Sequence, residues 1–110
     1  MIIEVRTYRI IPGKRDEFIQ YFETKAIPAM LAFGIGVIGP FLDLENENKF
    51  TWLRTYASLD ERAEKRREFY ESAKWKNELE PIAMPLVDAY SFEVCETTEF
   101  AEAQLTGWMV

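Results

Sequence analysis

Apolar and β-branched residues alternate with polar and aromatic ones at the start of the chain. One set of alternating side chains is Ile3, Val5 and Thr7, and the other is Glu4, Arg6 and Tyr8. A period of two is typical of an extended backbone, whose successive side chains point to opposite faces. The pattern therefore predicts a strand over residues 2–11, ended by the turn-forming pair Pro12-Gly13.

The apolar period lengthens after this turn. The apolar positions are then Phe18, Phe22, Ala26, Ala29, Met30 and Phe33. Such spacing places them on one face of a helix over residues 14–33, and Gly34 is suited to end that helix in a left-handed conformation. Pro28 has no backbone N–H, so we expect it to kink this helix or to split it.

Two strands joined as a hairpin are predicted next. Residues 35–44 and 49–57 flank a polar, turn-prone segment, and the second of the two alternates clearly. The first contains Gly36, Gly39 and Pro40, which weaken a strand. These residues indicate a bulge or an edge position in the sheet.

A capping box marks the start of a second helix. The Ser58 hydroxyl can accept the Glu61 N–H, and the Glu61 carboxylate can reach back to the helix start. We expect this helix over about residues 59–79, with a short or irregular stretch between the next two prolines. Residues 87–96 predict a last strand, and one of its faces carries Tyr90, Phe92 and Val94.

The predicted order of elements is β-α-β-β-α-β, in one α+β domain. Right-handed connections fold such a chain into one antiparallel sheet with both helices on one face, the ferredoxin-like plait. We assign residues 1–96 to this domain and residues 97–110 to a C-terminal tail without a clear period. A length of 110 residues suits a single domain.

The sheet face that two helices leave open decides the expected assembly. One face of the third strand has small side chains suited to packing beneath helices, namely Thr51, Leu53, Thr55 and Ala57. The opposite face would then expose Tyr8, Phe50, Trp52 and Tyr56. Soluble monomers rarely expose such a patch, so we expect a homodimer, or a multiple of one, that encloses a dimeric α/β barrel with an aromatic and charged lumen. The alternative is that the faces are reversed and Trp52 lies under the helices.

Charge and cysteine content narrow the classes of partner. The net charge of −6 disfavours nucleic acid, and the basic run at residues 65–67 is flanked by acids, which indicates a solvated helix face. A lone Cys95 excludes an internal disulfide and fits a reducing compartment. Charges interrupt the first apolar stretch, and no uncharged run approaches the ~20 residues that span a bilayer. We expect a cytoplasmic protein without a leader or a membrane span.

The chain contains no histidine. The usual general base, the usual zinc ligand and the usual proximal haem ligand are therefore missing. Nucleophile systems of the Ser-His or Cys-His type are excluded for the same reason. We expect no metal and no other cofactor.

The candidate site residues are Glu4, Arg6, Tyr8, Trp52, Arg54 and Tyr56, with Glu93 as a further candidate from the last strand. Guanidinium groups offer a planar fork of donors that fits a carboxylate or a polarised carbonyl, and aromatic walls suit a flat apolar body. Glu4 could act as a base if burial raised its pKa. The alternative is a structural ion-pair network, in which Glu4 and Glu93 neutralise the two arginines.

Several short motifs resemble those of the NIPSNAP family. They are Glu4-x-Arg6-x-Tyr8 followed by Pro12-Gly13, the stretch at residues 52–62 that reads WLRTYASLDER, and Trp75 late in the second helix. The likeness covers roughly residues 1–96. It implies the dimeric α/β-barrel fold shared with cofactor-free monooxygenases, small isomerases and some haem proteins, and it implies no particular reaction.

Three hypotheses of function follow from these residues. The first is a homodimeric protein that binds a small aromatic or carboxylate/carbonyl ligand in the barrel lumen. The second is a cofactor-free monooxygenase or isomerase, whose substrate itself gives up an electron or a proton. The third is a non-catalytic scaffold whose tail recruits a partner.

Overall fold

The helical regions between the strands pack on one face of a four-stranded antiparallel sheet. A computed structural model of the chain describes residues 1–108. The strands are β1 (Ile2–Ile10), β2 (Gly36–Leu42), β3 (Lys49–Tyr56) and β4 (Val87–Glu96), and the helices are α1 (Arg15–Tyr21), α2 (Ile27–Ala32), α3 (Leu59–Glu71), α4 (Glu80–Ala83) and α5 (Glu99–Trp108). The strand order β2-β3-β1-β4 is that of the ferredoxin-like plait, which confirms the predicted α+β fold.

The register of the sheet aligns five of the six predicted site residues in three rows, each with one residue from β3, β1 and β4. The charged row is Arg54, Glu4 and Val94, the middle row is Trp52, Arg6 and Phe92, and the aromatic row is Phe50, Tyr8 and Tyr90. Residues opposite each other in antiparallel strands share a face. All three rows therefore lie on one side of the sheet.

That side lies beneath the helices. The Phe22 ring lies 4.7 Å from the Trp52 ring, measured between centroids, and the Phe18 ring lies 6.4 Å from that of Tyr8. The prediction that the aromatic face points away from the helices, into a barrel lumen, is wrong, and the reversed alternative is correct. A period of two separates two faces but does not say which one is covered.

The opposite face carries smaller side chains. On β1 and β3 they are Ile3, Val5, Thr7, Thr51, Leu53 and Thr55. The prediction that Thr51, Leu53 and Thr55 pack beneath helices is therefore wrong. Large aromatic side chains fill the space under the helices instead, since aromatic rings from both layers interlock there.

The first helical region is split, as expected from Pro28. A π-helical segment, Phe22–Ala26, connects α1 to α2, and Pro28 falls in the first turn of α2. A π-helical segment followed by a proline also occurs before α4, where Lys74–Leu79 precedes Pro81. A proline ring clashes with the carbonyl group four residues earlier, and a wider turn relieves that clash.

The second helical region is broken at Ser72, which the sequence interpretation missed. Ser72 leaves the helical conformation, with φ −70° and ψ 150°. Its hydroxyl donates to the Phe69 carbonyl at 2.5 Å and accepts the Trp75 N–H at 3.1 Å. Serine competes for backbone hydrogen bonds in this way, so it ends α3 and begins the next helical segment.

The edge strand β2 is irregular, as predicted. Its register shifts between Ile38 and Phe41, next to Gly39 at φ +113°. A Cβ at Gly39 would lie 3.2 Å from the Trp52 Cβ. Both the positive φ and the close approach to β3 favour glycine here.

The tail contains a helix that its sequence did not predict. The Thr98 hydroxyl accepts the Ala101 N–H at 3.1 Å, and Glu99 and Glu102 occupy the first turn of α5. The tail assigned to residues 97–110 extends beyond the described residues at 109 and 110. None of the helices within residues 1–108 is long and apolar enough to cross a membrane.

The capping box at α3 gives a direct test of the fold. The Ser58 hydroxyl accepts the Glu61 N–H at 3.1 Å, and the Glu61 carboxylate accepts the Ala57 N–H at 3.0 Å. We expect Ser58→Ala to lower the free energy of unfolding by about 1 kcal/mol, because an N–H of the first turn loses its acceptor. Urea unfolding measures this. Ser58→Asp supplies another acceptor and should keep the stability, so equal losses in both variants would contradict the capping role.

Candidate functional site

A cavity of about 160 Å³ lies between the sheet and the helices. The sheet contributes side chains from the middle and aromatic rows together with Arg54, and the helical layer contributes Phe18, Tyr21, Phe22, Arg66, Phe69 and Tyr70. The lining residues Met84, Tyr90 and Phe92 are exposed. The mouth of the cavity therefore lies beside β4 and the end of α4.

A fully buried carboxylate stands behind one end of the cavity. Glu4 is 0% exposed, and its two oxygens face a group of four guanidinium groups that we call the arginine cluster, namely Arg6, Arg54, Arg62 and Arg66. Four positive charges against one carboxylate leave a formal charge of +3. Within residues 1–108, no other acidic side chain comes within 4.0 Å of these guanidinium nitrogens.

Three of the four arginines donate directly to Glu4. The Nε atom of Arg54 donates to Oε1 at 2.6 Å, and Nη1 of Arg6 donates to the same oxygen at 3.0 Å. The Nε atom of Arg62 donates to Oε2 at 2.7 Å. Arg66 stands farther away, with its Nε 3.6 Å from Oε2, and is about one-third exposed. Arg66 is therefore the member of the cluster least engaged by the carboxylate.

The arginine cluster keeps Glu4 ionised. Burial acts to raise the pKa of Glu4, but the charge and hydrogen bond of Arg54, the charge of Arg6 and the hydrogen bond of Arg62 together lower that pKa below its usual value. A carboxylate with a lowered pKa is a weak proton acceptor. The hypothesis that Glu4 acts as a general base is therefore not supported by its surroundings.

Several buried donors around the cavity have no hydrogen-bond acceptor within the described part of the chain. They are Nε of Arg6, Nη2 of Arg54 and Nε1 of Trp52, on side chains that are at most 3% exposed. All three residues line the cavity. Buried polar groups in proteins are nearly always paired, but these three nitrogen atoms are covered by neighbouring side chains, so an acceptor in the cavity reaches them only if those side chains shift.

Two tyrosine hydroxyl groups extend this set of donors. The Tyr70 hydroxyl accepts from Nη1 of Arg54 at 2.9 Å, and the Tyr8 hydroxyl accepts from Nη2 of Arg6 at 3.4 Å. Each phenolic hydrogen therefore stays available to a further acceptor. Burial raises the pKa of Tyr8 above its usual value, which keeps this hydroxyl protonated.

The other end of the cavity is aromatic. The Tyr8 ring lies 5.7 Å from those of Phe50, Trp52 and Tyr90, measured between centroids. The site thus has a charged end near Glu4 and an aromatic end near Tyr8. Such an arrangement can hold a flat molecule that carries an anionic group at one side.

Comparison with known proteins assigns the chain to a family. The family model described as NIPSNAP matches residues 3–102. The chain belongs to the NIPSNAP family. A NIPSNAP family protein from Agrobacterium tumefaciens superposes with a TM-score of 0.80 at 28% identity, over 90% of this chain and 94% of that one.

Further solved structures share the fold. An uncharacterized NIPSNAP domain protein from Burkholderia xenovorans has a TM-score of 0.81 at 21% identity, over 91% of this chain and 97% of that one. An antibiotic biosynthesis monooxygenase has a TM-score of 0.66 at 11% identity, over 89% and 99% of the two chains. No curated protein matches the chain significantly.

The NIPSNAP chain brings the six predicted site residues together, on the helix-covered side of the sheet. Arg6, Tyr8, Trp52 and Arg54 line the cavity, whereas Glu4 and Tyr56 do not. Glu93 pairs with Val5 and so lies on the opposite face. The prediction that Glu93 belongs to the site, as a ligand or as an ion-pair partner, is therefore wrong.

The sequence interpretation missed the contribution of α3. Arg62 and Arg66 are four residues apart, so they share one face of α3 and reach Glu4 together. The interpretation of residues 65–67 as a solvated face holds for Arg67, which is exposed, and is wrong for Arg66. The spacing of Arg62 and Arg66 indicates a shared helix face. The acidic residues on both sides of the basic run, however, suggested ion-pair partners on the surface of the helix itself.

Phe92 on β4 was also missed as a site residue. Its ring lies against three members of the arginine cluster, at 4.6 Å from the Cζ atom of Arg6, 5.6 Å from that of Arg66 and 6.0 Å from that of Arg62. Aromatic faces attract guanidinium groups at these distances. Phe92 therefore helps to position the cluster at the mouth of the cavity.

The lowered pKa of Glu4 predicts a pH-dependent contribution to stability. The ordinary pKa of a glutamate is about 4.3, and the folded value lies below it. The stabilising effect of ionised Glu4 is thus complete above about pH 4.3 and is lost as the pH falls through the folded pKa. We expect Glu4→Gln to cost about 3–5 kcal/mol at neutral pH, because it leaves buried arginines without their carboxylate.

The difference in the free energy of unfolding between the parent chain and Glu4→Gln should shrink as the pH falls below about 4.3 and through the lowered pKa of Glu4, because the carboxylate is then progressively protonated. Urea unfolding at a series of pH values measures it. The partly exposed Glu68, which pairs with Lys65 at 3.9 Å, provides the control Glu68→Gln. A difference that stays constant with pH would show that Glu4 acts by packing and not by charge.

Proposed function

We propose that this NIPSNAP chain binds a small, flat, anionic molecule in the cavity between its sheet and its helices. The observation that carries the proposal is the excess of positive charge beside the cavity, because one carboxylate faces four guanidinium groups, and Arg6, Arg54 and Arg66 line the cavity. Such groups favour an acceptor with negative charge, because guanidinium hydrogen bonds to anions are stronger than those to neutral groups. The site lies within each chain and not in a lumen between two copies.

The three rows of the sheet suggest how the ligand lies. Its acidic group would face the arginines of the charged and middle rows, and its ring would pack against Tyr8 and Phe18 at the aromatic end. A cavity of about 160 Å³ is close to the roughly 150 Å³ that accommodates benzene in an engineered protein core. The size therefore favours a single ring.

The charge balance supports a ligand over a purely structural ion-pair network. A network that only stabilised the fold would match its charges, since each unpaired buried charge is costly. Here one carboxylate faces four guanidinium groups. Glu93, which the sequence suggested as a second ion-pair partner, lies on the other face of the sheet. A bound anion would supply the missing negative charge.

Benzoate and benzamide test the proposal, because they differ mainly in charge. We expect benzoate to bind and benzamide to bind much more weakly in isothermal titration calorimetry. Arg66→Gln should weaken benzoate about tenfold, the cost of one lost charge-assisted hydrogen bond. The matched control is Arg67→Gln, on the exposed side of α3. Equal binding of the two probes, or equal effects of the two variants, would contradict the proposal.

A cofactor-free monooxygenase or isomerase is the second candidate. The hydroxyl groups of Tyr8 and Tyr70, each backed by an arginine, are suited to stabilise an oxyanion that forms on a bound substrate. Proton abstraction by Glu4 is disfavoured by its lowered pKa. A substrate that is already acidic would avoid this difficulty. A non-catalytic scaffold becomes the better account if no anionic probe binds.

We also propose that two copies of the chain form a homodimer through the sheet face turned away from the helices. That face presents apolar side chains that the chain leaves partly exposed, such as Val5 and Leu53, which suit packing against a second sheet. The aromatic residues that predicted a dimer from the sequence lie under the helices, so the proposed interface is the other face of the sheet.

Sedimentation equilibrium at micromolar concentration should therefore give twice the mass of the chain. Leu53→Lys places a charge in the middle of the proposed interface and should shift the protein to monomer. Leu31→Lys, at an exposed position of α2, is the control and should leave the dimer intact. A parent protein that sediments as a monomer would refute the dimer.

A further inference from the structure

We infer that the ligand of this cavity carries two negative charges on its head group, as in a phosphonate, a phosphate monoester or a pair of adjacent carboxylates on one ring. The inference rests on the proposed function, because it concerns the class of anion that the same cavity takes. It goes beyond that function in excluding simple monoanions as the preferred ligands.

The first argument is the charge left over around Glu4. The carboxylate already accepts from Arg6, Arg54 and Arg62, so both of its oxygens are engaged. The formal charge of +3 that remains is shared by two buried arginines and two partly exposed ones. A monoanion would leave two of these charges without a counterion. A dianion would leave one, and Arg66 and Arg62 are exposed enough for solvent to screen it.

Nearby acids do not supply the missing charge. Glu61 caps the start of α3, Glu68 pairs with Lys65, and Glu93 lies on the other face of the sheet. The remaining titratable groups that face the arginine cluster are the hydroxyls of Tyr8, Tyr56 and Tyr70. Burial raises the pKa of Tyr8, and it raises that of Tyr56 to about 12, so these two hydroxyls are neutral at ordinary pH.

The second argument is the number of donors. The phenolic hydrogens of Tyr8 and Tyr70 stay free, and both residues line the cavity together with the partly exposed guanidinium group of Arg66. A carboxylate has two oxygens to offer to these three groups. A phosphonate has three, and two adjacent carboxylates have four. The larger oxygen set therefore fits the donors better.

Phenylphosphonate and benzenesulfonate separate charge from shape. Both place three oxygens on one tetrahedral atom attached to a single ring, but the sulfonate always carries one charge. The phosphonate carries two at about pH 8.5 and one at about pH 5.5, as the similar second pKa of phosphate esters near 6 indicates. The chain has no histidine, and the cluster is made of arginines, so the protein's own charge around the cavity stays constant over this range.

We expect phenylphosphonate to bind at least tenfold more tightly than benzenesulfonate at about pH 8.5, as measured by isothermal titration calorimetry. At about pH 5.5 this ratio should fall towards one. Arg66→Gln should reduce the ratio at the higher pH, and Arg67→Gln should preserve it. Phthalate should likewise bind more tightly than benzoate, because its two carboxylates carry twice the charge.

The outcomes distinguish the inference from the proposed function. If both tetrahedral probes bind equally at the higher pH, the cavity takes anions without a preference for two charges, and the inference fails while the proposed function stands. The inference fails in the same way if benzoate binds, phenylphosphonate binds no more tightly than benzenesulfonate, and phthalate binds no more tightly than benzoate. If no anionic probe binds, the proposed function fails and the inference with it.

Discussion

The buried carboxylate of Glu4 is the interaction on which the rest of this structure depends. It joins the central strand β1 to β3 through Arg54 and to α3 through Arg62, so a single side chain fixes the second helical region against the sheet. The single negative charge of this carboxylate does not neutralise the four guanidinium groups around it. Stability and the proposed affinity for anions thus have one origin. Glu4 brings the arginines together, and the proposed ligand would neutralise the positive charge that remains around it.

The aromatic end of the cavity follows from the packing between the two layers. The Phe22 ring, in the π-helical segment after α1, meets the Trp52 and Phe50 rings of the sheet edge to face, and such arrangements keep large side chains at fixed angles. The helices are therefore held at a distance from the sheet that smaller side chains would not maintain. Space remains between the layers beside the mouth at β4. The cavity is the space that these rings leave unfilled between the two layers.

Local features of the fold were predictable, and features that join distant segments were not. The strands, the capping box at Ser58 and the split at Pro28 each depend on neighbouring residues, so their sequence pattern is sufficient. The six site residues could be grouped because a period of two places them on one face. Which face the helices cover depends on how the volumes of two layers fit, and alternation carries no such information. The role of Arg66 could not be predicted, because it depends on α3 directing that side chain towards Glu4. The break at Ser72 depends on a hydrogen bond from one side-chain hydroxyl to the Phe69 carbonyl.

The position of β4 at the edge of the sheet has a consequence for the kinetics of binding. This strand is hydrogen-bonded to β1 alone, and it carries Phe92 and Tyr90 at the mouth of the cavity. Edge strands open locally at a lower free energy than central ones. A ligand bound as proposed would thus pass a wall formed by an edge strand. Its rate of exchange would depend on local opening of that strand and not on unfolding of the central strands.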